Sequence, residues 1–229
     1  MKGKLFILIL GLTLLFAGCR IQTDPPEGDY RLELVLNIDN VGESINVDGT
    51  TLYVEEFKFI VRKFNLITDQ GDIIQSGGDL SSLVFSYRDG FEQDNLVLGV
   101  NIGFREFQVF DQYEMFVDQA LDSDQILDND FYEQDAPNNS IVIKGTVNDR
   151  SFFMTSTVAY EQMFELGDIE LSRNLETLFI RKLLDVEDVF IDPETGELIN
   201  PRDDENHDRI IEQFQENLRI EAFARTRFF

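Results

Sequence analysis

Short segments in which every second residue is apolar recur along most of this chain. In the first of them, Leu32, Leu34, Leu36 and Ile38 alternate with mostly polar neighbours. A period of two indicates a β-strand with one buried face. Residues 51–68 are rich in aromatic and β-branched side chains, which favours strand over helix, and their alternation slips near Glu55 and Glu56. Similar patterns predict further strands at residues 80–87, 95–110, 141–153, 153–164 and 177–183.

Turn signals separate these segments. Asp48-Gly49 and Asn148-Asp149 each lie between two apolar segments, as expected of two-residue hairpin turns. The hairpin over residues 141–153 is the clearest in the chain. Repeated short strands separated by such turns predict a mostly β protein, an antiparallel β-sandwich of the immunoglobulin-like or a related type. We expect it to form one domain over residues 30–229.

Two segments have helical spacing instead. Tyr113, Phe116, Val117, Ala120 and Leu121 are separated by three, one, three and one positions, which predicts a short mid-chain amphipathic helix within residues 112–121. A second apolar series runs from Ile210 to Ala222 behind acidic capping candidates. It predicts a C-terminal amphipathic helix over about residues 204–223.

The first eighteen residues have the pattern of a secretory leader. Lys2 and Lys4 give a basic start, an apolar run follows from Leu5 to Phe16, and small residues end it. The run is shorter than the roughly 20 residues that span a bilayer. Residues 1–18 are therefore predicted to be a signal peptide, and residues 19–29, with two consecutive prolines, an extended tether.

The residues Leu15-Phe16-Ala17-Gly18-Cys19 resemble the lipobox of bacterial lipoproteins. The resemblance implies cleavage before Cys19, a covalent lipid on its thiol, and anchoring in a Gram-negative envelope. Arg20 follows the cysteine instead of an aspartate, which by lipoprotein sorting rules implies the outer membrane, on its periplasmic or its surface side. The alternative is an ordinary secreted protein that has a cysteine at the cleavage site by chance. Cys19 is the only cysteine in the chain and occupies the lipobox position, which favours the lipoprotein.

A second resemblance concerns the domain itself. Residues 54–61, followed by Asn65-Leu66-Ile67 and Asp69-Gln70-Gly71, resemble the opening of MbnP-like, methanobactin-associated copper-binding domains. Residues 141–153 and 192–223 are similar to segments of uncharacterised Gram-negative envelope lipoproteins. These resemblances imply a β-sandwich fold and, for the first family, copper handling.

The charge balance is strongly acidic. Lys and Arg number 19 against 44 Asp and Glu, a formal net charge of −25. Such a chain repels nucleic acid phosphates, so nucleic acid is excluded as a partner. The acidic segment around residues 122–135 offers Asp122, Asp124, Asp128 and Asp130 as candidate calcium ligands, because hard cations prefer several carboxylate oxygens. The alternative is a solvated acidic loop, since the spacing does not match the twelve-residue calcium loop.

Few other catalytic or binding groups are available. His207 is the only histidine, and it could join Asp203 or Asp204 around a divalent ion or be a solvated residue in the first turn of a helix. No nucleophile elbow, phosphate-binding loop or dinucleotide fingerprint occurs. The sequence therefore favours a non-enzymatic, lipid-anchored binding or assembly module with a protein or glycan partner and no cofactor besides the lipid on Cys19. Alternatives are a copper- or calcium-handling lipoprotein and, last, a carboxylate-dependent glycoside hydrolase.

Overall fold

A computed structural model describes residues 28–75, 82–88, 100–104, 108–124, 126–134, 136–171 and 176–226. The predictions for the leader, for Cys19 and for nearly all of the tether lie outside these residues. The described part is mostly β, with two short helices. The strands are β1 Gly28–Asp39, β2 Ser44–Val47, β3 Thr50–Thr68, β4 Ile73–Gln75, β5 Leu83–Arg88, β6 Val100–Phe104, β7 Gln108–Val117, β8 Ile141–Val147, β9 Arg150–Ser156, β10 Tyr160–Leu171, β11 Glu176–Asp185 and β12 Arg219–Thr226. The helices are α1 Val186–Phe190 and α2 His207–Asn217.

The strands form a four-stranded sheet and an eight-stranded sheet. The four-stranded sheet has the order β12-β11-β1-β6, and its β1–β11 pair is parallel whereas its other pairs are antiparallel. In the eight-stranded sheet, every pair is antiparallel and β3 is the central strand. Phe59 pairs with both Phe85 and Ile141, and Val61 with both Leu83 and Val117. Therefore β5 lies on one edge of β3, while β7 and β8 follow each other along the opposite edge.

Strand β3 contains the slip in alternation that the sequence predicts. The register shifts between Val54 and Glu56, and again between Val61 and Lys63. A bulge inserts one residue without a partner and so changes which residues face the core. Val54 and Phe57 thus both face inward although they are three residues apart.

The main core lies between the two sheets. Leu178 and Ile180 of β11 belong to the same buried cluster as Phe57 and Phe59 of β3. Helix α2 contributes Phe214 to this cluster, with its ring centroid 5.2 Å from that of Phe57 and 5.3 Å from that of Phe59. The predicted β-sandwich class therefore holds for this chain, with α2 packed against the apolar interior.

The predicted hairpin over residues 141–153 is confirmed as β8 and β9. Asn148 and Asp149 join them with φ values of 49° and 61°. Positive φ at both central residues is the type I′ geometry, whose twist matches that of the strands. Asp48 and Gly49, at 48° and 81°, form the same kind of connection between β2 and β3.

The predicted helix within residues 112–121 is wrong. Residues 108–117 form strand β7, which pairs with β3 on one side and β10 on the other. Hydrogen bonds to two neighbouring strands override a helical spacing that spans only a few turns. The short helix of this fold is instead α1, where an Asp185 carboxylate oxygen accepts a hydrogen bond from the Glu187 backbone N–H at 2.9 Å.

The predicted C-terminal helix is correct only in its first part. A 3₁₀ turn at Asp204–Asn206 leads into α2, which ends at Asn217. Residues 219–226 form β12 and pair with β11 over eight positions, from Leu183 opposite Arg219 to Glu176 opposite Thr226. The apolar residues at 220 and 222 fit an alternating strand as well as a helix, so the pairing with β11 decides between the two.

Gly145 on β8 is a position where a side chain has no room. A Cβ atom there would lie 2.1 Å from the Tyr53 carbonyl oxygen and 2.9 Å from the Phe152 ring. We expect Gly145→Ala to lower the free energy of unfolding by about 3 kcal/mol, because backbone and packed ring must move apart. Urea denaturation measures the loss. Gly71→Ala is a useful comparison, because its Cβ would meet open space and only the positive φ of 82° would oppose it. An equal loss in both variants would contradict the steric explanation.

Candidate functional site

Six charged side chains meet on the outer face of the eight-stranded sheet, opposite the main core. Strand pairing places Arg88, Glu56 and Lys144 side by side on β5, β3 and β8. Lys58 lies two residues further along β3, and the loop between β7 and β8 supplies Asp128 and Asp130. We call these residues the charged cluster: Glu56, Lys58, Arg88, Asp128, Asp130 and Lys144.

Lys58 is the centre of this cluster and its side chain is fully buried. Its Nζ lies 2.5 Å from Asp128 Oδ2 and 3.4 Å from Glu56 Oε2, and it also pairs with Asp130. Lys144 Nζ lies 3.2 Å from Glu56 Oε2 and contacts Asp130 as well. Arg88 donates from Nε to Glu56 Oε1 at 3.0 Å. Three cations thus balance three carboxylates.

The electrostatics of the cluster favour the ionised forms. Desolvation raises the pKa of Asp130, but hydrogen bonds from Lys144 and Lys58 outweigh it and lower this pKa to about 2. Burial likewise opposes ionisation of Glu56, yet Arg88, Lys58 and Lys144 together lower its pKa. The pKa of Lys144 is raised because its two carboxylate partners outweigh its own desolvation. These three shifts keep Glu56 and Asp130 ionised and Lys144 protonated at neutral pH.

The charged cluster fastens a loop to the sheet. Residues 118–140 leave β7 and return to β8 beside the middle of β3, where the Ile60 N–H donates to the Ser140 carbonyl at 2.9 Å. Beneath the loop, Phe131 and Ala120 pack against Ile60 and Val142 in a second, smaller apolar cluster. The loop is thus held by burial on one side and by ion pairs on the other.

The four predicted calcium ligands do not converge on one point. Asp128 and Asp130 bind lysine ammonium groups. Asp124 accepts hydrogen bonds from the Leu121 N–H at 2.8 Å and the Ser82 hydroxyl at 3.0 Å, and Asp122 from Asn138 Nδ2 at 3.2 Å. Among the residues that the structure describes, no group of three or more His, Cys, Asp and Glu side chains is arranged to hold a metal ion. Calcium binding stays a prediction that no observation here supports.

His207 begins helix α2. Its Nε2 lies 2.9 Å from the Pro201 carbonyl oxygen and 3.9 Å from Asp204 Oδ1. Asp203 instead accepts a hydrogen bond from Asn200 Nδ2 at 2.9 Å. The structure therefore brings His207 near only one of its two predicted partners, and that carboxylate is almost fully exposed.

A shallow cavity of about 380 Å³ opens beside the charged cluster. Tyr53, Glu55, Glu56, Arg88 and Lys144 line it. Since Arg88 and Lys144 already pair with Glu56, the cations at this cavity are compensated from within the protein.

A direct contact between two carboxyl groups occurs elsewhere on the same face. Glu161 on β10 hydrogen-bonds Glu114 on β7, and this bond raises the pKa of Glu161, with smaller contributions from desolvation and from repulsion between the two carboxylates. Glycosidases separate their catalytic carboxyl groups by roughly 5 to 9 Å. Hydrogen-bonded carboxyl groups are closer than that, so this pair does not support the hydrolase hypothesis.

The outer face of the four-stranded sheet carries a different arrangement, which the sequence analysis missed. Phe179 of β11 and Phe223 of β12 stack with ring centroids 5.1 Å apart and an interplanar angle of 11°. The Arg225 guanidinium carbon lies 5.3 Å and 5.2 Å from these two centroids, and that of Arg181 lies 5.6 Å from the Phe223 centroid. We call these four residues the arginine–phenylalanine surface. Its sequence signal is the alternation Phe-x-Arg in both strands.

One further charged residue lies inside the main core. Lys182 of β11 is fully buried, with Nζ 4.3 Å from the Phe85 centroid and 4.9 Å from the Tyr113 centroid. This amine has no hydrogen-bond partner among the described residues. Burial lowers the pKa of Lys182 to about 7.

No protein-family model matches this chain, and no curated protein or solved structure matches it significantly. The lipobox and MbnP-like resemblances therefore stay predictions. Among the described residues, no helix is long and apolar enough to cross a membrane.

Proposed function

We propose that this protein is a non-enzymatic binding module, held by a lipid on Cys19 at the outer membrane of a Gram-negative envelope. The leader and the lipobox-like residues support the anchor. Strand β1 begins at Gly28, so the link from Cys19 reaches at most about 30 Å from the membrane surface. The folded domain would therefore work close to that surface.

The arginine–phenylalanine surface is the observation that carries the binding role. Phe179 and Phe223 are only half-buried, and Arg225 is exposed. Aromatic and arginine side chains dominate the energetics of recognition surfaces, because they offer large contact areas and directed donors. An arginine-rich patch on a chain of net charge −25 is a distinct feature that a partner can recognise.

The anchor is tested by metabolic labelling with palmitate. We expect label on the wild-type protein and its recovery in the outer-membrane fraction, whereas Cys19→Ser should carry no label and leave the membrane pellet. Several acyl chains together hold a protein stably on a membrane, and the serine side chain of the variant cannot take their place. Arg20→Gln, which keeps the cysteine, should label normally. Unlabelled wild type, or Cys19→Ser that still pellets with membranes, would contradict the proposal.

The binding role is tested by crosslinking in intact cells. The wild type should form crosslinked complexes that Arg225→Glu loses, while Arg150→Glu on the remote strand β9 should keep them. If all three proteins are recovered as isolated monomers, the proposed binding role is contradicted. The proposed lipid anchor does not depend on this result.

A further inference from the structure

The outer face of β11 and β12 concentrates positive charge. Register places Arg181, Arg219 and Arg225 on the same face as the stacked Phe179 and Phe223. Between these arginines, the same face of β11 and β12 carries one acidic residue, Glu221, which lies 3.7 Å from Arg181. Among the residues whose side chains the structure describes, no carboxylate lies within ion-pair distance of Arg225. Arg219 likewise lies 3.8 Å from Asp188, and the register of the neighbouring strand β1 places Glu33 beside Phe179. Arg225 is therefore the cation on this face of β11 and β12 that is left to attract an anion.

Stacking prepares the guanidinium groups for an anionic ligand. A guanidinium over a ring face keeps its N–H donors in the plane, free to bind a carboxylate or phosphate in a bidentate manner. The two rings hold Arg225 in place, so less side-chain entropy is lost when a ligand binds. The surface thus offers fixed donors beside exposed phenyl carbons.

The sheet geometry disfavours an added peptide strand. Peptides commonly bind by extending an open sheet edge, through main-chain hydrogen bonds. Strand β12 is the edge strand of its sheet, but β10 of the other sheet packs beside it. A ligand therefore meets the face of β11 and β12 and its side chains. A polysaccharide chain suits this face, because the apolar faces of its sugar rings cover the phenyl carbons that the ring stacking and the guanidinium groups leave exposed, while its charged groups reach Arg225.

We propose that the arginine–phenylalanine surface binds an anionic polysaccharide that carries carboxylate groups. This inference rests on the binding role proposed above and names the chemical class of the partner. Phe179 and Phe223 contact sugar rings, and Arg225 binds a carboxylate. Lipidation of Cys19 holds this surface within reach of the polysaccharides of the envelope.

The test measures binding of the full chain carrying Cys19→Ser, so that its result does not depend on the anchor. The probes are polygalacturonate, neutral dextran and poly-L-glutamate, at 150 mM salt to screen non-specific attraction. We expect binding to polygalacturonate, none to dextran, and at least tenfold weaker binding to poly-L-glutamate. Arg225→Gln and Phe179→Leu should each weaken polygalacturonate binding about tenfold, which corresponds to about 1.4 kcal/mol.

Two further variants control for charge and folding. Arg225→Lys keeps the charge but lacks the planar fork, so we expect a loss of several-fold at an unchanged melting temperature. Arg150→Gln removes one exposed positive charge on β9 and should bind as the parent does. Equal binding to polygalacturonate and poly-L-glutamate, no binding to polygalacturonate, or an equal loss in Arg150→Gln would each overturn the polysaccharide assignment. Crosslinked complexes lost in Arg225→Glu cells would still support the general binding role.

Discussion

Replacing Lys182 by methionine should make this protein more stable. The ammonium is fully buried, and the rings of Phe85 and Tyr113 give it only cation–π contacts. Met fills a similar volume without a charge or donor to bury. We expect Lys182→Met to raise the free energy of unfolding at pH 7 by about 4 kcal/mol, since the pKa of Lys182 falls from near 10.4 in the unfolded chain to about 7 in the folded protein. Urea denaturation measures this gain.

The gain should depend on pH with a defined sign. Between pH 7 and about 10.4 the unfolded chain keeps the Lys182 proton that the folded protein releases, so wild-type stability rises with pH in this window. The stabilisation by Lys182→Met is therefore largest below pH 7, and shrinks as the pH rises through 7. Measurements should stay between pH 6 and 9, because burial raises the pKa of Tyr113 and Tyr160 and their ionisation favours unfolding in stronger base.

A matched lysine at the surface controls for the loss of charge. Lys63 also lies over a ring, with Nζ 4.6 Å from the Phe116 centroid, but it is only partly buried. We expect Lys63→Met to change stability little and equally at pH 6 and pH 9. A Lys182→Met variant that is less stable than wild type, or whose gain is the same at both pH values, would contradict the account of Lys182 as a buried, destabilising amine.

Removing Lys58 should have the opposite effect. Lys58→Met deletes the cation shared by Asp128, Asp130 and Glu56 and leaves two cations against three carboxylates. Breaking a buried ion pair by removing one partner costs about 3–5 kcal/mol, because the remaining charge stays buried without compensation. We expect a loss of that size in urea denaturation. Proteolysis within residues 118–140, where Leu127 is 96% exposed, should also become faster.

Charge compensation distinguishes this effect from lost packing. Lys58→Met combined with Asp130→Asn restores the balance of charges and should recover a substantial part of the stability, whereas Lys58→Met combined with Asp149→Asn, in the remote turn, should not. Asp130→Asn alone should also make the free energy of unfolding less dependent on pH in acid. Because its pKa is lowered, ionised Asp130 stabilises the fold above about pH 4, and this stabilisation is lost as the pH falls towards 2. A loss below 1 kcal/mol for Lys58→Met would show that the cluster does not fasten the loop.

Alternation determined most strands of this protein locally. The hairpin over residues 141–153 needs only its own apolar pattern and an Asn-Asp turn that accepts positive φ, and the slip near Glu55 is visible as a break in period. Even the position of Lys182 can be read from the sequence, because it stands in phase with the inward-facing Leu178, Ile180 and Leu184.

Contacts between distant segments decided the rest. Residues 112–117 and 218–222 have apolar spacings that suit a helix or a strand, and only pairing with β3, β10 and β11 selects the strand. Lys58 meets Asp128 and Asp130, 70 and 72 residues away, because β7 and β8 share one edge of β3 and return the loop onto its face. Phe179 likewise meets Phe223 only through the register of β11 and β12. Periodicity is a local property that fixes which face a side chain takes, whereas the identity of its neighbour depends on strand order and register, which only the folded chain sets.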